Sequence, residues 1–265
     1  MLTAQQGSHK LTDVNLWDMA MAKYVLVHGG GHGGWCYQPV AQRLRAKGHE
    51  VYTPTLTGLG ERSHLLSPAV DLNMHIRDIV NVIEFEDLTD IILVGHSYGG
   101  MVITGVADKV PERIANIVYL DAAYPFNGQS LVDVAGDVIL AARQNARMVN
   151  GMELVLFPGE DPMHFYGVTD SAQIAWMKPK LTPHPWQCFE QALVLHNEER
   201  MRQIPQSMIA TSVQKDVLTD EIREIVRGMT NGRFWEIDTG HDLMISAPDA
   251  TADVLLAIAS SCQLA

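Results

Sequence analysis

Ser97, His241 and one of two aspartates are the residues whose types and placement could do covalent chemistry. Ser97 is the centre of Gly95-His96-Ser97-Tyr98-Gly99, directly after the apolar run Ile91-Ile92-Leu93-Val94 and ahead of the helix-compatible stretch Met101 to Asp108. A Gly-x-Ser-x-Gly between strand and helix is the setting of a nucleophile elbow, a sharp turn that lifts a serine hydroxyl clear of the sheet edge. The glycines suit it because a strained turn leaves no room for β-carbons beside the nucleophile. Stripped of that context, the same pattern is a glycine-rich turn with an incidental serine.

A serine hydroxyl is a poor nucleophile near neutral pH and needs a base, and the base needs a group to orient it. His241, in Asp238-Thr239-Gly240-His241-Asp242, follows the apolar run Phe234-Trp235-Glu236-Ile237 and precedes the last helix, where a base should lie. An imidazole titrating near 6.5 suits proton exchange around neutrality. His28 and His96 flank the site inside glycine-rich turns and read as structural. For the acid, Asp216 follows the apolar run Ser207 to Thr211 and is preferred; Asp121, at the end of Ile114 to Leu120, is the rival. Asp220, Asp238 and Asp242 read as solvated loop carboxylates.

A second glycine cluster, His28-Gly29-Gly30-Gly31-His32-Gly33-Gly34-Trp35, follows the first apolar run, Tyr24 to Val27. A dinucleotide loop would call for an acidic residue after the next strand, but Glu50 precedes that strand and Thr53-Pro54-Thr55 follow it. The cluster reads better as an oxyanion hole, with the backbone N–H groups of Gly30 and Tyr98 as donors. Each such donor is typically worth about 2.7–4 kcal/mol of transition-state stabilisation.

The elements that must carry these residues alternate between strand and helix. Val51 to Pro54 is a second strand; Trp35 to Lys47, ended by Gly48, and Met74 to Phe85 read as amphipathic helices. After Asp121 the rhythm breaks, to resume at Ser207 with a strand, a helix over Glu221 to Arg227, the Phe234 strand and a helix over Ala250 to Ser260. Such alternation implies a mainly parallel sheet with helices on both faces, and a ligand site at the carboxyl ends of its strands. The interruption, about 125–204, is too long for a loop and is expected to be a helical cap. The expected organisation is a single domain over 21–265, with 1–20 a disordered extension; the alternative is a short native arm packed on the domain.

With these residues in place, the chain resembles the α/β-hydrolase superfamily from about Lys23 to the last helix. The branch it most resembles holds plant methylesterases, hydroxynitrile lyases and small bacterial esterases. The resemblance rests on Val25 to Trp35, Gly48-His49-Glu50-Val51, Leu93 to Gly100 and Asp238 to His241. Bacterial relatives with Thr57-Gly58-Leu59-Gly60-Glu61-Arg62 after the second strand include hydrolases of xenobiotic esters and carbamates. The resemblance implies a sheet of six to eight strands, a helical cap, no cofactor, and serine-hydrolase chemistry on a small carboxylic ester through an acyl-enzyme. It also bears on the lyases, which carry threonine where this chain has Gly29 and lysine where it has Asp242. An aspartate there would repel departing cyanide, so hydrolysis is favoured. The other readings are a cofactor-free C–C hydrolase or dioxygenase and a non-catalytic small-ligand receptor on the same fold.

The substrate pocket is expected to be apolar, with Trp35, Tyr98 and Tyr124 at its floor and Phe126, Met163, Phe165, Trp176, Trp186 and Phe189 from the cap; most of these aromatics should simply pack. His184, in Leu181-Thr182-Pro183-His184-Pro185, reads as part of a rigid turn, and no metal site is expected.

Composition narrows the classes further. A 47% hydrophobic, 19% charged chain can bury a large core, and a formal net charge of −12 argues against nucleic-acid binding. Cys36, Cys188 and Cys262 are widely spaced and odd in number, which fits a reducing, cytoplasmic setting better than a disulfide framework. No apolar run is long enough for a membrane span. A homodimer is compatible with the sequence, which does not fix the oligomeric state.

Overall fold

The computed structural model describes residues 21–157, 166–212 and 219–262. Among them run nine strands: β1 (Lys23–Val27), β2 (Glu50–Tyr52), β3 (Ile91–His96), β4 (Ile114–Leu120), β5 (Arg147–Val149), β6 (Met152–Val155), β7 (His184–Pro185), β8 (Gln206–Thr211) and β9 (Phe234–Ile237). Six form one sheet in the order β2-β1-β3-β4-β8-β9, every pair parallel. Side chains alternate across it. Val25, Val27, Ile91, Leu93, Ile117 and Tyr119 join one apolar cluster, while Tyr24, Leu26, Ile92, Val94, Val118 and Leu120 join the other. Both faces are therefore covered, which is why these strands read as unbroken apolar runs.

Helices α1 (Gln38–Ala46), α2 (Leu72–Phe85) and α3 (Gly99–Lys109) supply much of that cover. Ile76, Ile79 and Ile83 of α2 lie in the first cluster with Met101, Ile103 and Val106 of α3; Val40 and Leu44 of α1 share the second with Leu255 and Ile258 of the last helix, Pro248–Cys262. Helix α2 begins two residues earlier than its apolar spacing suggested, because the Asp71 side chain accepts the Met74 N–H at 2.7 Å and caps it. Helix α1 starts later than expected: Gly34–Tyr37 is a separate 3-10 turn and Pro39 sits in the first turn of the helix.

The chain leaves the sheet after β4 and returns at β8. Between them lie α4 (Leu131–Ala135), α5 (Asp137–Arg143), short helices at Ser171–Met177, Gln187–Glu190 and Glu198–Arg202, and a three-stranded antiparallel sheet, β5-β6-β7. The insertion carries the helices expected of a helical cap, and the small sheet is an addition to them. Its cause is local: Asn150 and Gly151 both take positive φ, 51° and 80°, which a two-residue hairpin turn needs, and Val149 pairs with Met152 across it.

Strand order reverses between β1 and β3, the chain going one way to β2 and the other to β4. In such sheets the crevice at the carboxyl ends of these strands is where ligands bind.

Candidate active site

Ser97 follows β3 at that crevice with φ of 53°, a left-handed conformation rare for a residue with a β-carbon. The backbone holds it there: its carbonyl accepts the N–H groups of Gly100 at 3.0 Å and Ala123 at 3.1 Å. The turn is tight enough that a β-carbon on Gly95 would stand 2.6 Å from the Gly99 carbonyl oxygen. That contact is the physical reason for glycine in the motif.

His241 lies beyond β9, and its Nδ1 is 2.6 Å from Oδ2 of Asp121. The Asp121 side chain has no solvent exposure. Its Oδ1 also accepts the Thr211 N–H at 3.1 Å and its Oδ2 the Thr211 hydroxyl at 3.2 Å, so one buried carboxylate is fixed between β4, β8 and the His241 loop. Burial lowers the affinity of His241 for a proton, but the hydrogen bond and charge of Asp121, with Asp242 behind, outweigh it and leave the pKa above the ordinary histidine value. With the Nδ1 hydrogen given to Asp121, Nε2 carries the ring's lone pair.

The sequence reading preferred Asp216 for this contact. Asp216 lies outside the described residues, and the carboxylate seen on Nδ1 is Asp121. That nitrogen offers a single hydrogen, which is directed at Asp121, the rival.

Ser97 and His241 line one narrow cleft, together with Gly30, His32, His96, Tyr98, Leu131, Ile139, Leu156, Tyr166 and Phe189. The N–H groups of Gly30 and Tyr98 have no acceptor among the described residues. The peptide that carries the Gly30 N–H is anchored at its other end, because Gly29 O accepts the Nδ1 hydrogen of His28 at 2.8 Å. His28 Nε2 in turn accepts the Leu56 N–H at 3.1 Å, so this ring is neutral, and complete burial pushes its pKa down to about 3. In a trans peptide the N–H points opposite to the carbonyl, and the Gly30 N–H is thereby turned away from His28. His96, also fully buried and held well below the ordinary value, donates Nε2–H to His241 O at 2.9 Å.

The pocket residues expected from the sequence fall elsewhere. Trp35 stacks on His32 and meets Trp176 edge-on, behind the glycine loop. Tyr124 and Phe126 pack on each other with the Arg202 guanidinium over both rings, and Phe126 is half exposed. Trp186 is buried, with its indole N–H on Glu190 at 2.7 Å, and lines a separate groove under β6. Phe165 and Met163 lie outside the described residues. Of the aromatics named, Tyr98 and Phe189 reach the cleft.

Its remaining apolar wall, Leu131, Ile139 and Leu156, went unread, because isolated aliphatic residues on short elements leave no periodic signal. Leu156 directly follows β6 with φ of 56°, and its Cδ1 would be 2.8 Å from a β-carbon on Gly30.

His75, His184 and Cys188 bring their ligand atoms within 4.8 Å of one another in the interior. The lone pairs of both histidines are committed, and the Cys188 thiol donates to Val70 O at 3.6 Å. His75 Nδ1 accepts the Tyr98 hydroxyl at 2.9 Å while Nε2 donates to Thr57 O, and His184 Nδ1 accepts the Gly31 N–H at 3.3 Å. The donor set thus fits a packing joint between insertion and glycine loop better than a cation.

Residues 24–254 match the α/β hydrolase family, and the chain belongs to it. A carbendazim-hydrolyzing esterase from Nocardioides sp. (strain SG-4G) is 35% identical over 244 residues, 90% of this chain and 100% of that protein. Methylesterase 9 of Arabidopsis thaliana is 34% identical over 106 residues, 40% of this chain and 41% of that protein, so the chain spans well under half of it. Among solved structures, an extracellular α/β-hydrolase of a Paenibacillus species, described as sharing structural and functional homology with tobacco salicylic acid binding protein 2, superposes with a TM-score of 0.72 at 26% identity, covering 89% of this chain and 98% of that one. No helix among the described residues is long and apolar enough to cross a membrane.

Proposed function

We propose that the protein is a serine esterase that cleaves a small carboxylic ester through an acyl-enzyme. Ser97 attacks the carbonyl while His241 Nε2 takes its proton, and Asp121 steadies the imidazolium that results. The N–H groups of Gly30 and Tyr98 bind the oxyanion. The alcohol leaves with the proton from His241, and water then repeats the cycle to release the acid. The observation that carries this reading is the 2.6 Å His241–Asp121 bond, placed in the same cleft as a serine on a strained turn. Likeness to a carbendazim-hydrolyzing esterase and to a methylesterase supports the ester class.

The cleft's apolar side of Leu131, Ile139, Leu156 and Phe189 suits a compact apolar acyl or aryl part. Aromatic methyl esters and carbamates are the substrates to try first. The structure adds an argument against cyanohydrin cleavage: a β-carbon at Gly29 would stand 2.8 Å from both Ser97 Cβ and His96 Nδ1, so the threonine of the lyases has no room here. The cytoplasmic setting is part of the same proposal, supported by free, buried Cys36 and Cys188 and a half-buried Cys262.

The test is active-serine labelling with a fluorophosphonate beside a panel of p-nitrophenyl and aromatic methyl esters. Label recovered on Ser97 with turnover of the esters is expected. Absence of both overturns the proposal.

A further inference from the structure

One buried pair near the cleft is not used by the steps above. His32 stands two residues after Gly30, and neither its side chain nor that of Asp242 has any solvent exposure. Its Nδ1 is 2.8 Å from the Gly30 carbonyl oxygen, and its Nε2 is 3.0 Å from Asp242 Oδ2. A carbonyl can only accept, so Nδ1 carries a hydrogen. A neutral ring would then turn the Nε2 lone pair toward a carboxylate oxygen. The contact is attractive only with a proton between the two, and because an imidazole is a stronger base than a carboxylate, that proton sits on His32 and the pair is an imidazolium facing a carboxylate. The sequence reading treated Asp242 as a solvated loop residue that would repel an anion in the pocket. Instead it is buried, it is not among the cleft-lining residues, and its charge is met by His32.

The surroundings of the pair give it a task. His32 holds the oxygen of the Gly30–Gly31 peptide, and His184 holds the N–H of the same peptide, so that plane cannot rotate without breaking a buried hydrogen bond. At the other end, Asp242 follows His241 in the chain, its N–H donates to Tyr166 O at 2.9 Å, and its Oδ1 lies 3.8 Å from His96 Nε2, which donates to His241 O. The pair thus ties the glycine loop of β1 to the histidine loop of β9.

Resting on the serine-esterase reading, we propose that His32 and Asp242 are positioning residues that hold the Gly30–Gly31 peptide, next after the one bearing the Gly30 N–H, in register with the His241 loop as a buried imidazolium–carboxylate pair. A charge-assisted bond is stronger than a neutral one, and this one holds both sides of the cleft before substrate arrives. In Asp242→Asn the amide can donate to a neutral His32 Nε2, so the contact survives while the charge is lost.

The test has two arms. In the wild-type protein, long-range proton–nitrogen NMR correlation of the histidine rings is expected to show both nitrogens of His32 protonated at neutral pH, and only Nδ1 protonated in Asp242→Asn. This arm needs no turnover, so it separates failure of the pair from failure of the esterase reading, which Ser97 labelling reports. In the kinetic arm, Asp242→Asn is expected to lose roughly tenfold or more in kcat with KM within about threefold, the pattern of an interaction felt in the transition state. His32→Gln should lose a similar factor, and the double variant less than the product of the two. A neutral His32 in the wild type, or a soluble, folded Asp242→Asn with unchanged kcat, overturns the proposal.

Discussion

The two walls of the cleft are held by different forces. On the wall built from the sheet, the groups near Ser97 are fixed by directed bonds: Asp121 by Thr211, the Gly29 carbonyl by His28, the Gly30 carbonyl by His32 and the His241 carbonyl by His96. The wall built from the insertion is Leu131, Ile139, Leu156 and Phe189, held by packing. Hydrogen bonds fix direction within a few tenths of an ångström and lose strength quickly when misaligned; apolar contacts fix volume and tolerate rearrangement. Chemistry should therefore depend on the first wall and selectivity on the second. Substitutions on the sheet side should act on kcat, and substitutions on the insertion side on KM and substrate range.

The sharpest break would come at Ser97. Ser97→Ala is expected to lower kcat by roughly 10⁴–10⁶-fold while thermal unfolding stays close to that of the wild type, since the hydroxyl carries no structural bond in the cleft. An alanine variant that still turns over p-nitrophenyl esters at a comparable rate would remove the sheet wall from the chemistry altogether.

Asp121→Asn comes next, with an expected loss of about 10³–10⁴-fold, the cost of presenting the imidazole in the wrong tautomer. His241 acts as a base only when unprotonated, and its pKa is raised, so the acid limb of kcat/KM should lie above the ordinary value of about 6.5. Removing the Asp121 charge leaves burial as the dominant influence, and the limb should move to lower pH. Asp216→Asn is the control; if it costs more than Asp121→Asn, the acid has been assigned to the wrong strand.

How much of this could be read in the residues follows the same division. The architecture of the sheet wall was legible because its elements carry local signatures: buried strands as apolar runs, the strained turn as glycines around a serine, and the proposed base as a histidine ahead of the last helix. The choice between Asp121 and Asp216 was not, because both follow apolar strands and only the path of the β9 loop decides which one His241 meets. The insertion resisted reading for a physical reason. Its elements are short, its packing aromatics serve cations and grooves away from the cleft, and its lining comes from single aliphatic residues. The Asn150-Gly151 hairpin is one local signal that the residues do carry there.

Buried histidines give the comparison an acid test. His28 is held at about 3, and His75, His96 and His184 are lowered as well, each chiefly by burial. In the unfolded chain all four titrate near 6.5, so below that pH the unfolded state binds protons that the folded state refuses. Stability should fall with falling pH by up to about 1.4 kcal/mol per pH unit for each such group. His241 has the opposite sign: its raised pKa contributes stability below 6.5, which is lost as pH climbs through the folded value. His49 is lowered by burial as well, so five such rings stand against His241 and the proposed charged His32, and the melting temperature is expected to drop from pH 6.5 toward 4.5. A level profile would mean that these rings take up protons in the folded protein.

The smallest effect, and the most direct probe of the insertion wall, is at Leu156. A leucine at φ of 56° is strained, and its side chain leans over Gly30, where a substrate carbonyl must approach. Leu156→Ala removes the branched end without touching any hydrogen bond of the sheet wall. For acetate esters, kcat should stay within about threefold of the wild type, while the preference between branched or aryl acyl groups and acetyl, read as a ratio of kcat/KM values, should rise by roughly 10-fold, the scale on which a few methylenes in an apolar pocket discriminate. Should kcat fall for every ester alike with the preference unchanged, Leu156 would belong to the chemistry, and the division between the two walls would not hold.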